Sequence, residues 1–166
     1  MEFRAVPMER LAELLEFQLD RGGRAALTVT GNSMVPMLRH RRDSVVLTRP
    51  PEGGPRRGDI ILYRRDSGQY VLHRVVEARG EDSLVCCGDH DWRREAVSPG
   101  QVLAVVAAFR RDRRLHTVEE PGYRLYSALW TALLPVRRPI LAARRGLGRL
   151  RATLRENGTT ARRNRV

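Results

Sequence analysis

The sequence predicts a mainly β protein: a compact β-rich domain, an amphipathic helix before it and a basic helical tail after it. Three observations carry this. Between residues 24 and 118, six short runs rich in Val, Ile, Leu and Tyr alternate with clusters of Gly, Pro, Asp or Arg, the rhythm of an all-β domain. Before them, apolar residues recur at helical spacing, and from Pro121 helical spacing returns. The expected division is residues 1–23, 24–118 and 119–166.

The elements follow in order. Pro7 to Leu19 reads as a helix, with Pro7 suited to its first turn. Leu11, Leu14 and Leu15 form one face, Glu9, Glu13 and Glu16 lie opposite, and Gly22-Gly23 ends it. The expected strands are Ala25–Thr30, Ser44–Thr48, Asp59–Tyr63, Gln69–Val76, Ser83–Cys87 and Gln101–Ala108. Pro50-Pro51-Glu52-Gly53-Gly54-Pro55 is a loop, and Asp66-Ser67-Gly68 and Arg79-Gly80-Glu81-Asp82 read as hairpin turns. Asp43 and Asp59 stand where turns precede strands and are expected to organise them. In the tail, Tyr126, Leu129, Trp130, Leu133 and Leu134 share a face until Pro135 and Pro139 break the run. Leu147, Leu150 and Leu154 then form a stripe among arginines. The stretch from Glu156 to Val166 has little to bury and is expected to be disordered.

Charge is unevenly placed. The 166-residue chain has a net charge of +12, yet residues 1–109 hold 16 Arg against 15 acids. Residues 110–166 hold 15 Arg against 4. Such a tail reads as a solvated end, a peripheral membrane-surface segment or a nucleic-acid contact. Nucleic acid is the least supported, because no aromatic follows Trp130 to interleave with the arginines. No secretory signal is read at the N-terminus. A spanning helix needs about 20 apolar residues, and Leu125 to Val136 is shorter and interrupted by Ser127, Thr131 and Pro135. The expected location is cytoplasmic, with a peripheral place on the inner membrane face open to the tail. Cys86 and Cys87 are adjacent, so they read as small, partly buried hydrophobes rather than a disulfide or a zinc site. The four histidines show no metal-ligand spacing, and neither metal nor cofactor is expected.

The chemistry gathers around Gly31-Asn32-Ser33-Met34-Val35-Pro36. A serine hydroxyl is a poor nucleophile unless a base removes its proton. All 31 basic residues are arginine, whose guanidinium stays protonated and cannot be that base. The partner must therefore be a histidine. His73, in Val71-Leu72-His73-Arg74-Val75-Val76, is the best placed, since His40 sits among arginines and His90 and His116 lie outside the motifs.

Gly31 to Leu38, Arg57-Gly58-Asp59-Ile60-Ile61-Leu62-Tyr63, Leu72-His73-Arg74-Val75-Val76 and Cys87-Gly88-Asp89 occur in the order of four motifs. In this the chain resembles the signal peptidase I and repressor-protease superfamily of serine peptidases. It is most similar to the endoplasmic-reticulum and archaeal branch, where histidine replaces lysine. The similarity runs from about Leu27 to Val106. It implies a β-rich fold and endopeptidase activity on extended peptides, with Ser33 as nucleophile, His73 as base and Asp89 as orienter of the imidazole. Gly88-Asp89-His90-Asp91 departs from the family pattern by lacking its asparagines and its later acidic residue, so Asp91, or a dyad without an acid, stays open. The oxyanion is most simply met by the backbone N–H groups of Ser33 and Met34. The Asn32 side chain reads as tolerance of an unusual turn.

The expected function is a serine endopeptidase that matures a peptide or membrane-proximal precursor, losing activity below about pH 6.5 as a free imidazole gains its proton. The alternative is a non-catalytic or self-cleaving repressor-like regulator binding peptide or nucleic acid. For that, the roughly 24 residues before the β domain are too few for a helix-turn-helix.

Overall fold

The structure, a computed structural model, describes residues 8–79 and 83–137. The elements are α1 (Met8–Asp20), β1 (Ala25–Thr28), β2 (Ser44–Thr48), β3 (Ile60–Arg64), β4 (Tyr70–Arg79), β5 (Ser83–Cys87), β6 (Glu95–Val97), a 3-10 turn (Pro99–Gln101), β7 (Val102–Arg111), β8 (Arg114–Thr117) and α2 (Pro121–Ala132). The protein is mainly β. One antiparallel sheet runs in the order β1-β2-β7-β3-β4-β5-β6, with β8 also paired to β7.

The expected helix and all six expected strands are present within a few residues. Two short strands are additional, β6 and β8, both opened by charged residues that hide a strand pattern. The turn at Asp66–Gly68 closes through an Arg65 N–H to Gln69 C=O bond of 2.9 Å. Of the turn expected at Arg79–Asp82, residues 80–82 lie outside the described residues, as do 138–166.

Strand β3 explains the layering. Successive side chains on a strand point to opposite faces. Ile60 and Leu62 enter one core with Val45, Leu47, Val106 and Phe109. Ile61 and Tyr63 enter a second core with Val71, Val75, Leu84 and Cys86. Both faces are covered, which is why four consecutive residues of β3 are apolar and buried. Cys86 and Cys87 are free thiols and fully buried, deeper than the partial burial the sequence suggests.

Helix α2 belongs to the same compact unit as the sheet, which extends through Ala132. The reason is burial: Tyr123, Ser127 and Thr131 repeat every four residues along α2 and are all buried. Among the described residues no helix is long and apolar enough to cross a membrane.

Candidate active site

Ser33 lies in the segment between β1 and β2, and its neighbours hold that segment in place. Val29 N–H donates to Asp43 C=O at 2.9 Å and Arg41 N–H to Val29 C=O at 2.8 Å, closing the base of the loop. Met34, Met37 and Leu38 are buried and anchor the loop in the first core. Asp43, itself buried, accepts the Arg39 N–H through Oδ2 at 2.8 Å, the turn-organising role expected of it. Asp59 plays the same part for Arg56 N–H at 2.7 Å. His40 is structural: its Nδ1 accepts the Gly31 N–H at 2.8 Å. Gly31 has φ +89°, a left-handed conformation that disfavours a side chain. The Val35–Pro36 peptide is cis. Ser33 itself is exposed on top of this anchored loop.

His73 comes from the middle of β4. It pairs with Ile61 of β3, so both project from the face of the second core. The ring is nearly buried, at 8 % exposure. Gly88, just after β5, brings serine and histidine together. A Cβ at position 88 would stand 3.2 Å from Ser33 Cβ and 3.1 Å from His73 Nε2. Those two atoms are therefore at most 6.3 Å apart. No hydrogen bond joins Ser33 Oγ to the ring among the described residues, and such contacts commonly tighten only when substrate binds. Ser33 C=O also accepts the His90 N–H at 2.8 Å, tying the serine loop to the segment after β5.

The same hypothetical Cβ would lie 2.7 Å from Ser33 backbone oxygen, closer than such atoms can approach. Gly88→Ala is thus expected to push the serine loop off the imidazole. Any hydrolysis that depends on Ser33 and His73 together should fall by about tenfold or more while circular dichroism stays native, since a displacement near 1 Å can cost about a hundredfold. Wild-type turnover in that variant would show that the close approach is unimportant.

Asp89, expected to orient the imidazole, makes its bonds elsewhere. Asp89 is fully buried, but both of its oxygens are held by the Arg74 guanidinium, at 2.8 Å each. His73 and Arg74 are neighbours on a strand and point to opposite faces, so the partner of one is not offered to the other. Asp91 Oδ1 accepts the backbone N–H groups of Trp92 and Arg93. The imidazole is instead met by Tyr63, whose hydroxyl lies 3.2 Å from His73 Nδ1. Tyr63 O–H donates to Glu95 Oε2 at 2.8 Å, and Glu95 is held in turn by Arg65 through contacts of 2.5 and 2.6 Å. Because the Tyr63 proton points to Glu95, its oxygen is free to accept from Nδ1–H. That fixes the tautomer with the lone pair on Nε2, toward Gly88 and Ser33.

The electrostatics agree. Burial pushes the His73 pKa below its usual 6.5, with the Glu95 carboxylate opposing. Arg65 holds the Glu95 carboxyl below its ordinary range. The ring is neutral at pH 7, the form a general base needs. The backbone N–H groups of Ser33 and Met34 donate to no acceptor among the described residues.

Ser33 and His73 both border Gly88, and Tyr63 and Glu95 continue the line of contacts from the imidazole. Tyr63 closes the motif Arg57–Tyr63. Glu95 stands six positions past Asp89 in the chain. His116 is bonded to Glu120 at 2.9 Å and stacked on Phe109, away from this chemistry. Among the described residues no cluster of His, Cys, Asp or Glu could hold a metal ion. Cavities of about 510 and 560 Å³ lie elsewhere, neither lined by Ser33 or His73. No protein-family model, curated protein or solved structure matches the chain.

Proposed function

We propose that the protein is a serine endopeptidase of the signal-peptidase type, acting on a peptide or membrane-proximal precursor. The observation that carries this is the convergence of Ser33 and His73 Nε2 on Gly88 in a chain with no lysine. His73 Nε2 takes the Ser33 proton as Oγ attacks the scissile carbonyl. The resulting oxyanion is received by the N–H groups of Ser33 and Met34. The imidazolium then returns its proton to the leaving amine, and water, activated by the same ring, releases the acyl group. Tyr63 accepts from Nδ1–H throughout, and Glu95, steadied by Arg65, keeps the tyrosine turned the right way. In this reading Asp89 is a positioning residue for the loop that carries Gly88. A cytoplasmic location, peripheral to the inner membrane face, accompanies the proposal.

The test compares peptides by mass spectrometry in cells carrying the wild-type protein or Ser33→Ala. Precursors accumulating only in the variant would support the reading, and identical peptide profiles would count against it.

The acid limb of kcat/KM carries a second expectation. The base works only when neutral, so activity falls as pH drops through a pKa that burial holds below 6.5. Glu95 raises that pKa, so Glu95→Gln should move the limb to still lower pH. Tyr63→Phe should lower kcat by about a hundredfold, within the usual worth of a positioned base. A limb that does not move in Glu95→Gln would disconnect the carboxylate from the ring.

A further inference from the structure

We propose that the cavity beside α2 binds the phosphate headgroup of an anionic lipid and docks the Leu125–Leu129 face of α2 on a membrane. The inference does not require Ser33 to be a nucleophile, so the two readings fail separately.

The cavity has a volume of about 510 Å³ and is walled by arginines from two parts of the chain. Arg56 and Arg57 come from the loop before β3, and Arg124 from the first turn of α2. All three are exposed, and none forms a salt bridge among the described residues. Two acids share the wall, Asp59 and Glu119. Asp59 is committed to its own turn, accepting the Arg56 N–H at 2.7 Å, and burial raises its pKa. Three guanidinium groups thus face a carboxylate that is exposed and another already in use. Planar guanidinium forks suit phosphate oxygens.

The apolar half of the site is one step around the helix. Leu125 follows Arg124 and Leu129 follows Ala128, both of the latter on the cavity wall. Leu125 and Leu129 are 62 % and 55 % exposed and one turn apart, so they form a ridge beside the cationic cavity. A ridge of leucines flanked by arginines matches an anionic bilayer surface, with acyl chains taking the leucines and headgroups the guanidinium groups. The opposite flank of α2 carries Tyr126 and Trp130, stacked at 5.7 Å, which bond to Asp89. Asp89 follows Gly88, so docking through α2 would hold the Ser33 region close to the lipid.

The arginines after residue 137 would add their own attraction to anionic lipid, so the test keeps that segment in place. Full-length protein is sedimented with phosphatidylcholine vesicles with or without phosphatidylglycerol. One variant carries Arg56→Gln, Arg57→Gln and Arg124→Gln. A control of equal charge carries Arg24→Gln, Arg113→Gln and Arg114→Gln. The cavity variant should lose about tenfold or more in partitioning beyond the control, each arginine at the surface being worth about fivefold. Leu125→Ser with Leu129→Ser should lose about tenfold or more, as expected for two leucines withdrawn from an apolar phase. Native circular dichroism in each variant separates these losses from unfolding. Equal losses in cavity and control variants would reduce the attraction to general charge and overturn the proposal. So would inorganic phosphate alone raising the melting temperature through the three arginines while the leucine variant still sediments like wild type, because the cavity would then be a free-anion site.

Discussion

Ser33→Ala and His73→Ala are each expected to lower kcat/KM by at least about 10⁴, with the double variant hardly worse than either. Nucleophile and base act as one unit: without the hydroxyl there is no acyl intermediate, and without the ring the hydroxyl keeps its proton. In hydrolases built this way single losses are as severe as combined ones. Ser33 is exposed, so its replacement should leave the melting temperature within about 2 °C, surface changes being within about 0.5 kcal/mol. His73 is nearly buried and bonded to Tyr63, so its loss should also cost some stability. The measurement is steady-state cleavage of a peptide found in the Ser33→Ala comparison. Single variants that retain wild-type rates would end the peptidase reading, and effects that multiply in the double variant would mean that the two residues act separately.

The second large effect is on stability and falls on Asp89. Arg74 and Asp89 are both fully buried and joined by two hydrogen bonds. Arg74 Nη1 also donates to Gly58 C=O at 2.9 Å, to Ser127 Oγ at 2.8 Å and to Tyr123 OH at 3.2 Å. One guanidinium therefore fastens the segment after β5, the loop before β3 and helix α2. Removing one partner of such a pair strands the other charge without water, at about 3–5 kcal/mol. Against a total stability of about 5–15 kcal/mol, Asp89→Ala should remove a large share of the folding free energy and lower the denaturation midpoint accordingly. Removing both charges, as in Arg74→Met with Asp89→Leu, should cost less than Asp89→Ala alone, because no bare charge remains. Chemical denaturation reads both. An Asp89→Ala protein with wild-type stability but dead chemistry would restore Asp89 to the catalytic role and overturn the assignment to Tyr63 and Glu95.

The fold was legible where pattern is local. The leucine spacing of α1 and the apolar runs of β2 to β5 stand in the sequence without ambiguity. Strand β6 was not legible: three residues, one of them glutamate, carry no period. Ser33 and His73 could be named because each sits in a motif and the missing lysine leaves few bases. The group that meets the imidazole could not, because it depends on register. Tyr63 reaches the ring only because β3 pairs Ile61 with His73 and so sets Tyr63 diagonally across from it. Glu95 arrives only because β6 pairs it with Cys86. A signal for the true partner of Asp89 was nevertheless present. Arg74 follows His73 on an apolar strand, and a buried arginine demands a buried carboxylate.

The two cysteines draw one practical line around this chemistry. Cys86 is walled into the second core, and burial pushes its thiol up to about 12, so at neutral pH it presents about one thiolate in 10⁵ molecules. Cys87 lies one residue from the glycine that separates serine and imidazole, yet it too is fully covered. Alkylating agents that silence thiol peptidases thus meet no reactive sulfur in the native domain. Any inactivation they cause reports the protein coming apart rather than a blocked catalytic centre.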